Sequence, residues 1–168
     1  MARLDDGLGA VCDALEAALQ AAAPKTDGPY VVLGNPAEAN AKYGETSKGR
    51  VLVTLAGLRS GAERRAPPLD PGDGRQLAGL LEADLLVTAD FPGQYLKGIR
   101  LMAAALDWVH DNPVVTAGPA PEASRLTIGL LDVAVEQAAS LVDMAGVKGC
   151  PFALVRLRGL SVGGQIDE

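Results

Sequence analysis

The chain has 168 residues, of which 48% are hydrophobic and 21% are charged, and its formal net charge is −6. A chain of this length is typical of one domain with one hydrophobic core, so we expect residues 1–168 to form a single domain with a frayed tail from about residue 163. The acidic charge argues against a nucleic-acid binder, because such a domain usually has a basic face.

Two features of the sequence bear on its compartment. Met1–Asp6 is not followed by the apolar run of a signal peptide, and no segment approaches the roughly 18 uninterrupted apolar residues of a membrane span. We therefore expect a cytoplasmic protein without membrane insertion, in which Cys12 and Cys150 are reduced thiols rather than a disulfide.

The first predicted element is an amphipathic helix from about Leu4 to Ala22. Its apolar residues recur at spacings of three and four and share one helical face: Leu4, Leu8, Val11, Leu15 and Leu19. Pro24 follows the pattern and ends the helix. This stripe is typical of a helix packed on its own domain, although a partner-facing arm is an alternative.

Two strands and two polar segments follow. Pro29–Leu33 and Val51–Leu58 are rich in β-branched and apolar residues and are predicted strands. Gly34–Lys48 is polar and contains turn residues, so it is predicted to be a long loop. Arg59–Gly79 is the most basic segment of the chain. It is interpreted either as a solvated loop between strands or as a docking loop for an acidic partner surface.

The stretch Gln94–Pro113 is predicted to be a helix, after a predicted strand at Leu80–Ala89. Its predicted buried stripe has helical spacing and consists of Tyr95, Ile99, Met102, Leu106 and Val109. Asn112 and Pro113 end this helix, because a residue before proline is disfavoured in helical geometry.

The remaining elements complete an α-β-β-β-α-β-β-α-β order. They are an extended piece at Val114–Ala117, a strand at Ser124–Asp132, a helix at Val133–Gly146 and a strand at Phe152–Val162. Alternation in the last strand places Arg156 and Arg158 on one face. We expect an α+β fold, with a mixed or mainly antiparallel sheet and two to three helices packed on one face of it.

The sequence contains no recognisable reaction centre. His110 is the only histidine, and its position at the end of a helix suits a role near the last carbonyls. One histidine and two distant cysteines do not make a standard zinc site, and no phosphate-binding glycine motif is present. We therefore predict no catalytic, cofactor-binding or metal-binding residues. A small enzyme or ligand-binding domain with a pocket near His110, and a docking adaptor that uses Arg59–Arg65, remain alternatives.

The second half of the chain carries a series of features in a fixed order. These are LLVTA before the long helix, Tyr95 near its start, Asp111-Asn112-Pro113-Val114 at its end, the Leu126–Leu131 strand, Pro151, and the Val155-Arg156-Leu157 strand. In this order Leu80–Val162 resembles the tail-terminator, or cap, family of contractile injection systems. The resemblance is to the domain that forms the N-terminal part of larger cap proteins.

The resemblance implies a non-enzymatic structural protein. Members of that family assemble into rings, typically hexamers, that terminate the inner tube and the sheath of phage-tail-like particles made by bacteria. The implied partners are other copies of the chain and the tube or sheath protein, first in the bacterial cytoplasm and then at the end of the assembled particle. A closed ring needs complementary contacts between neighbours, for which exposed strand edges and charged side chains are candidates. The residues that we predict at partner interfaces are Arg59, Glu63, Arg64, Arg65, Arg156 and Arg158.

Overall fold

Helices and strands follow one another in the predicted order. The computed structural model describes residues 2–24, 28–34, 49–60, 80–118, 123–145 and 149–161. The elements are α1 (Leu4–Ala22), β1 (Val31–Leu33), β2 (Arg50–Ser60), β3 (Leu80–Asp90), α2 (Tyr95–Asp111), β4 (Val114–Ala117), β5 (Ser124–Leu130), α3 (Val135–Ala145) and β6 (Phe152–Ser161). Most of both predicted loops, and the predicted frayed tail, lie outside the described residues.

All six strands of the described residues belong to one sheet, in the order β1-β2-β3-β6-β5-β4. β1 is parallel to β2, and every other neighbouring pair is antiparallel. β6 is the last of the described strands along the chain but lies in the middle of the sheet, between β3 and β5. This mixed and mainly antiparallel sheet with its helices confirms the predicted α+β class.

The larger hydrophobic core lies between one face of the sheet and the helices α1 and α2. The central strands supply alternating residues to this face, among them Val51, Val53, Leu85, Val87, Val155 and Leu157. The predicted stripe of α1 packs on them through Leu8, Val11, Leu15 and Leu19, all of which are buried. Burial of one such leucine contributes about 1.5–3 kcal/mol, so α1 is an integral part of the core, as the packed-helix interpretation predicted.

A smaller hydrophobic cluster lies on the opposite face. Its buried residues are Val32, Leu52, Leu86 and Leu154, and Leu141 of α3 packs against them. The expectation that all helices share one face is therefore wrong for α3. Central strands with apolar residues at successive positions present apolar side chains to both faces, and both faces then need a cover.

The buried stripe of α2 differs from the predicted one. Its buried residues are Gly98, Leu101, Met102, Ala105 and Val109. Tyr95 and Ile99 are instead 60% and 41% exposed. A Cβ atom on Gly98 would lie 3.4 Å from the carbonyl oxygen of Ala89. The small residues of α2 thus face the sheet and allow close packing. Met102 and Val109 of the predicted stripe are buried, so the prediction is wrong only for the first part of the stripe, at Tyr95 and Ile99.

The end of α2 is fixed by an asparagine. The backbone N–H of Asn112 and its side-chain Nδ2 both donate to the carbonyl oxygen of Trp108, each at 2.9 Å. The predicted stop at Asn112 is confirmed, and His110 lies exposed in the last turn of the helix.

One buried hydroxyl on the face of the smaller cluster is unusual. Thr88 in β3 is 1% exposed, and among the described residues its Oγ1 has no hydrogen-bond partner. Its neighbours across the sheet are Leu52 and Phe152. A buried polar group without a partner costs about 1–3 kcal/mol, so this position lowers the stability of the fold.

Replacement of Thr88 by valine should therefore stabilise the protein by about 1 kcal/mol, because the shape is kept and the unpaired hydroxyl is removed. The free energy of unfolding from urea denaturation measures the effect. The matched control is Thr54→Val, since Thr54 Oγ1 donates to the carbonyl oxygen of Gly34 at 2.8 Å; this substitution should destabilise by a similar amount. A Thr88→Val variant that is as destabilised as Thr54→Val would contradict the assignment.

Candidate functional site

Charged side chains of three neighbouring strands meet on the face on which α3 lies. Glu82 and Asp84 of β3 are paired with Arg158 and Arg156 of β6, and Arg59 of β2 is paired with Glu82. Side chains at alternate positions of a strand share a face, which brings these five residues together. They are called the ionic cluster below.

Asp84 is the centre of the ionic cluster. Arg156 binds its carboxylate with two hydrogen bonds, from Nε to Oδ1 at 2.7 Å and from Nη2 to Oδ2 at 3.2 Å. Arg59 donates from Nη2 to Oδ2 of the same carboxylate. The Asp84 residue is only 7% exposed. Two guanidinium groups thus compensate one buried negative charge, and the paired contact from Arg156 has the fork geometry of the stronger ion pairs.

Glu82 extends the ionic cluster toward solvent. Its Oε1 lies 3.1 Å from Nε of Arg158, and its Oε2 lies 3.5 Å from Nε of Arg156. The side chains of Arg59 and Arg158 are 55% and 57% exposed. Three guanidinium groups face two carboxylates, so the cluster presents one excess positive charge on the surface of an acidic protein.

The protonation state of Asp84 follows from its surroundings. Burial by itself raises the pKa of this carboxyl, but the hydrogen bonds from Arg156 and Arg59 and the charges of both arginines lower it by more. The net result is a pKa below the ordinary value for aspartate. Asp84 is therefore ionised at neutral pH, and its charge holds the two guanidinium groups in place.

The structure brings together three of the six residues predicted at partner interfaces. Arg59, Arg156 and Arg158 belong to the ionic cluster, and the prediction that Arg156 and Arg158 share a face is confirmed. Arg59 lies in β2 rather than in the following loop, which corrects the predicted boundary. Glu63, Arg64 and Arg65 lie outside the described residues.

Sequence reasoning missed the two acidic members of the ionic cluster. Glu82 and Asp84 are separated by one residue in a predicted strand, as are Arg156 and Arg158 in another. One strand thus has negative charges at alternate positions and the other has positive charges at alternate positions, a pattern that favours pairing between the two strands. The sequence alone did not say that these two strands are neighbours.

The two edges of the sheet are not equivalent. At the β1 edge, Glu16 of α1 accepts a hydrogen bond from the backbone N–H of Val31, at 2.7 Å from Oε2. That N–H points away from β2, because the bonds to β2 are made by Tyr30 and Gly34. A side chain therefore already occupies part of this edge, as natural sheets often arrange.

The β4 edge keeps backbone groups directed outward. The N–H of Ile128 donates to the carbonyl oxygen of Pro113 at 3.0 Å, and Val115 is paired with Leu126. Bonded and non-bonded pairs alternate in an antiparallel ladder, so the backbone groups of Val114 and Thr116 point away from β5. This edge offers two N–H and two C=O groups to an added strand.

The chemistry of the cysteines favours the thiol form. Cys12 in α1 and Cys150 before β6 are not joined by a disulfide in the structure. Burial and then the charge of Asp13 raise the pKa of Cys12 to about 12. Burial and then Asp90, whose Oδ1 lies 3.8 Å from the sulfur, raise the pKa of Cys150. Neither thiol has the lowered pKa of an activated nucleophile.

Among the described residues, no three His, Cys, Asp or Glu side chains are placed to hold a metal ion. No helix in those same segments has the length and apolar character needed to cross a membrane.

Comparisons with known proteins give a family and a solved structure of similar fold. A family model described as the Pvc16 N-terminal domain matches residues 10–167. Among solved structures, the chain is similar to a cryo-EM structure described as the PVC sheath/tube terminator of an extracellular contractile injection system in its extended state. The TM-score is 0.63 at 14% sequence identity, over 98% of this chain and 58% of that chain. The chain thus spans little more than half of that protein. No curated protein matches the sequence.

The ionic cluster should make a measurable contribution to stability. Asp84→Asn is expected to lower the free energy of unfolding by about 2 kcal/mol at pH 7, because it removes the charge that two guanidinium groups share. The cost stays below the roughly 3–5 kcal/mol of a fully buried pair, since these guanidinium groups reach solvent. The matched control is Asp107→Asn on the exposed side of α2, which should leave stability unchanged. Equal stability of Asp84→Asn and the unaltered protein would contradict this role.

The lowered pKa of Asp84 also predicts a pH dependence. A carboxyl whose pKa is lower in the folded than in the unfolded state stabilises the fold above its unfolded pKa. That contribution is lost as the pH falls through the folded pKa. The free energy of unfolding of the unaltered protein should therefore decrease as the pH is lowered below about 4. The part of this decrease that Asp84 causes should be missing in Asp84→Asn. Urea denaturation at a series of acidic pH values measures both slopes; parallel slopes would count against the assignment.

Proposed function

Because the chain belongs to the Pvc16 N-terminal domain family, we propose that it is a structural, non-enzymatic subunit that terminates the tube and sheath of a contractile, phage-tail-like injection particle. The observation that carries this proposal is the family match over residues 10–167, which is nearly the whole chain. The likeness of its fold to that of a PVC sheath/tube terminator, over 98% of the chain, supports the same role.

The proposed assembly is a closed ring, with six subunits as the expected number. A cyclic ring needs two different surfaces on each subunit that fit one another. The difference between the two sheet edges supports such a head-to-tail arrangement, since Glu16 covers part of the β1 edge and the β4 edge has outward backbone groups. In this proposal the β4 edge receives an extended segment of the neighbouring subunit.

The proposed partners beyond the ring are the inner tube protein and the sheath protein. Arg59 and Arg158 are the members of the ionic cluster with the most exposed side chains, and they are proposed to contact acidic groups of a partner. Arg156 is only 18% exposed and binds Asp84, so its proposed role is to position this surface. Glu63, Arg64 and Arg65 remain proposed contacts on sequence grounds. The protein would assemble in the bacterial cytoplasm and then lie at the end of the particle, without contact with nucleic acid.

The first test of this function is the mass of the assembly. The purified chain should form rings at raised concentration, or when tube or sheath protein is added, as seen by mass photometry and negative-stain electron microscopy. His110→Ala should assemble like the unaltered chain, because the histidine has no part in the proposed contacts. A chain that stays monomeric alone and with both partner proteins would contradict the terminator role.

A second test addresses the β4 edge. Thr116→Pro removes one outward N–H without loss of a bond to β5, a position at which an edge strand tolerates proline. We expect self-association to weaken at least about tenfold, since the added strand loses a backbone bond and meets the proline ring. Sedimentation equilibrium measures the association constant, and circular dichroism checks the fold. The control Thr116→Val keeps the N–H and should associate normally; equal association of both variants would exclude this edge.

A further inference from the structure

A cleft of about 420 Å³ lies where α3 meets the sheet. Its apolar part is lined by Leu131, Val133, Leu141 and Leu154, of which Leu154 is buried and the others are partly buried. Its polar part is lined by Arg59 and Asp84 of the ionic cluster. The cleft thus lies at the boundary between the smaller hydrophobic cluster and the ionic cluster.

The cleft is open because one strand position beside the ionic cluster has no side chain. Gly57 is paired with Asp84 after an irregularity in the register of β2. A Cβ atom at Gly57 would meet nothing within 4 Å. Gly129 is paired with Arg156 on the other side of the same row and is equally open, but it does not line the cleft. The Asp84–Arg156 pair is therefore flanked by two glycines, one of which opens the cleft.

The charges at the cleft select the chemistry of an occupant. Both oxygens of Asp84 are already bound by arginines, so this carboxylate has little capacity for a cationic group. Arg59 uses one nitrogen for Asp84 and leaves 55% of its side chain exposed. A guanidinium carries five N–H donors, so Arg59 has donors left for a second carboxylate. A purely apolar occupant would cover these remaining N–H donors of Arg59 without accepting a hydrogen bond from them, which is unfavourable.

We propose that this cleft binds a segment of a partner protein in which an aliphatic side chain is adjacent to a carboxylate. The aliphatic side chain packs against Leu141 and Leu154, and the carboxylate accepts hydrogen bonds from Arg59. This inference goes beyond the terminator role and does not depend on it, because it concerns the isolated chain and a short segment.

The test is a nuclear magnetic resonance titration of the ¹⁵N-labelled chain. The probe is the blocked tetrapeptide acetyl-Gly-Leu-Asp-Gly-amide, and the matched probe has asparagine in place of aspartate. The aspartate probe should shift the amide signals of Gly57, Leu141 and Leu154. The asparagine probe should bind roughly tenfold more weakly, because it lacks the charge that Arg59 recognises.

Two glycine variants distinguish the cleft from the rest of the surface. Gly57→Val places a side chain in the cleft and should abolish the shifts. Neither Gly57 nor Gly129 has a positive φ, and a Cβ atom meets nothing within 4 Å at either, so both positions accept a side chain. Gly129→Val makes the same change on the other side of the ionic cluster and should bind the probe normally. Arg59→Gln should reduce binding of the aspartate probe to the level of the asparagine probe.

Four results would overturn the proposal. The first is that the aspartate probe shifts no cleft signals at concentrations up to about 10 mM, and the second is that both probes bind equally well. The third is that the aspartate probe binds normally to Gly57→Val. The fourth is that removal of residues 162–168, with no probe added, shifts the cleft signals. The last result would mean that the occupant is the tail of this chain and not a partner segment. Failure of ring assembly, in contrast, would leave the cleft result unaffected.

Discussion

The ion pair between Asp84 and Arg156 joins the two central strands of the sheet. The register of these strands and the arrangement of charges on the α3 face of the sheet depend on it. A carboxylate that is almost entirely buried is tolerated only if cations compensate it, and here Arg156 of β6 and Arg59 of β2 do so from both neighbouring strands. A shift of β6 by one residue would turn Arg156 to the other face and leave Asp84 without that partner. The pair therefore favours one register across three strands that are far apart in the chain.

The same pair divides one face of the sheet into two parts. One part is apolar and is covered by α3 through Leu141, and the other is charged and includes the exposed guanidinium groups of Arg59 and Arg158. The cleft lies at the boundary, where Gly57 leaves space. The opposite face carries the larger core under α1 and α2, so most of the stabilising burial is separated from the surfaces that we propose for binding.

The two edges of the sheet differ in how their outward backbone groups are covered. Glu16 occupies an outward N–H of β1, whereas the outward groups of β4 at Val114 and Thr116 have no such cover among the described residues. An assembly whose subunits all point the same way around a ring requires unlike surfaces of this kind. The ring that we propose for this member of the Pvc16 N-terminal domain family would use this difference between the two edges.

The sequence by itself determined the order of the elements. The helix α1 has the predicted bounds, and Asn112 ends α2 as predicted, because periodicity and stop signals are local properties. The family resemblance was also readable from the second half, since it depends on the order of motifs along the chain.

Only the tertiary structure decided which faces meet. The spacing of Tyr95 and Ile99 predicted that both are buried, but both are exposed, and the small residues Gly98 and Ala105 face the sheet instead. How closely a helix packs on a sheet depends on the shape of the sheet surface as well as on the hydrophobic pattern of the helix. Glu82 and Asp84 became recognisable as partners of Arg158 and Arg156 only once β6 was placed beside β3. β3 and β6 are some 70 residues apart in the chain, so local sequence does not determine that they pair. Their pairing depends on the burial of both sheet faces and on the positive charge that the buried carboxylate of Asp84 requires.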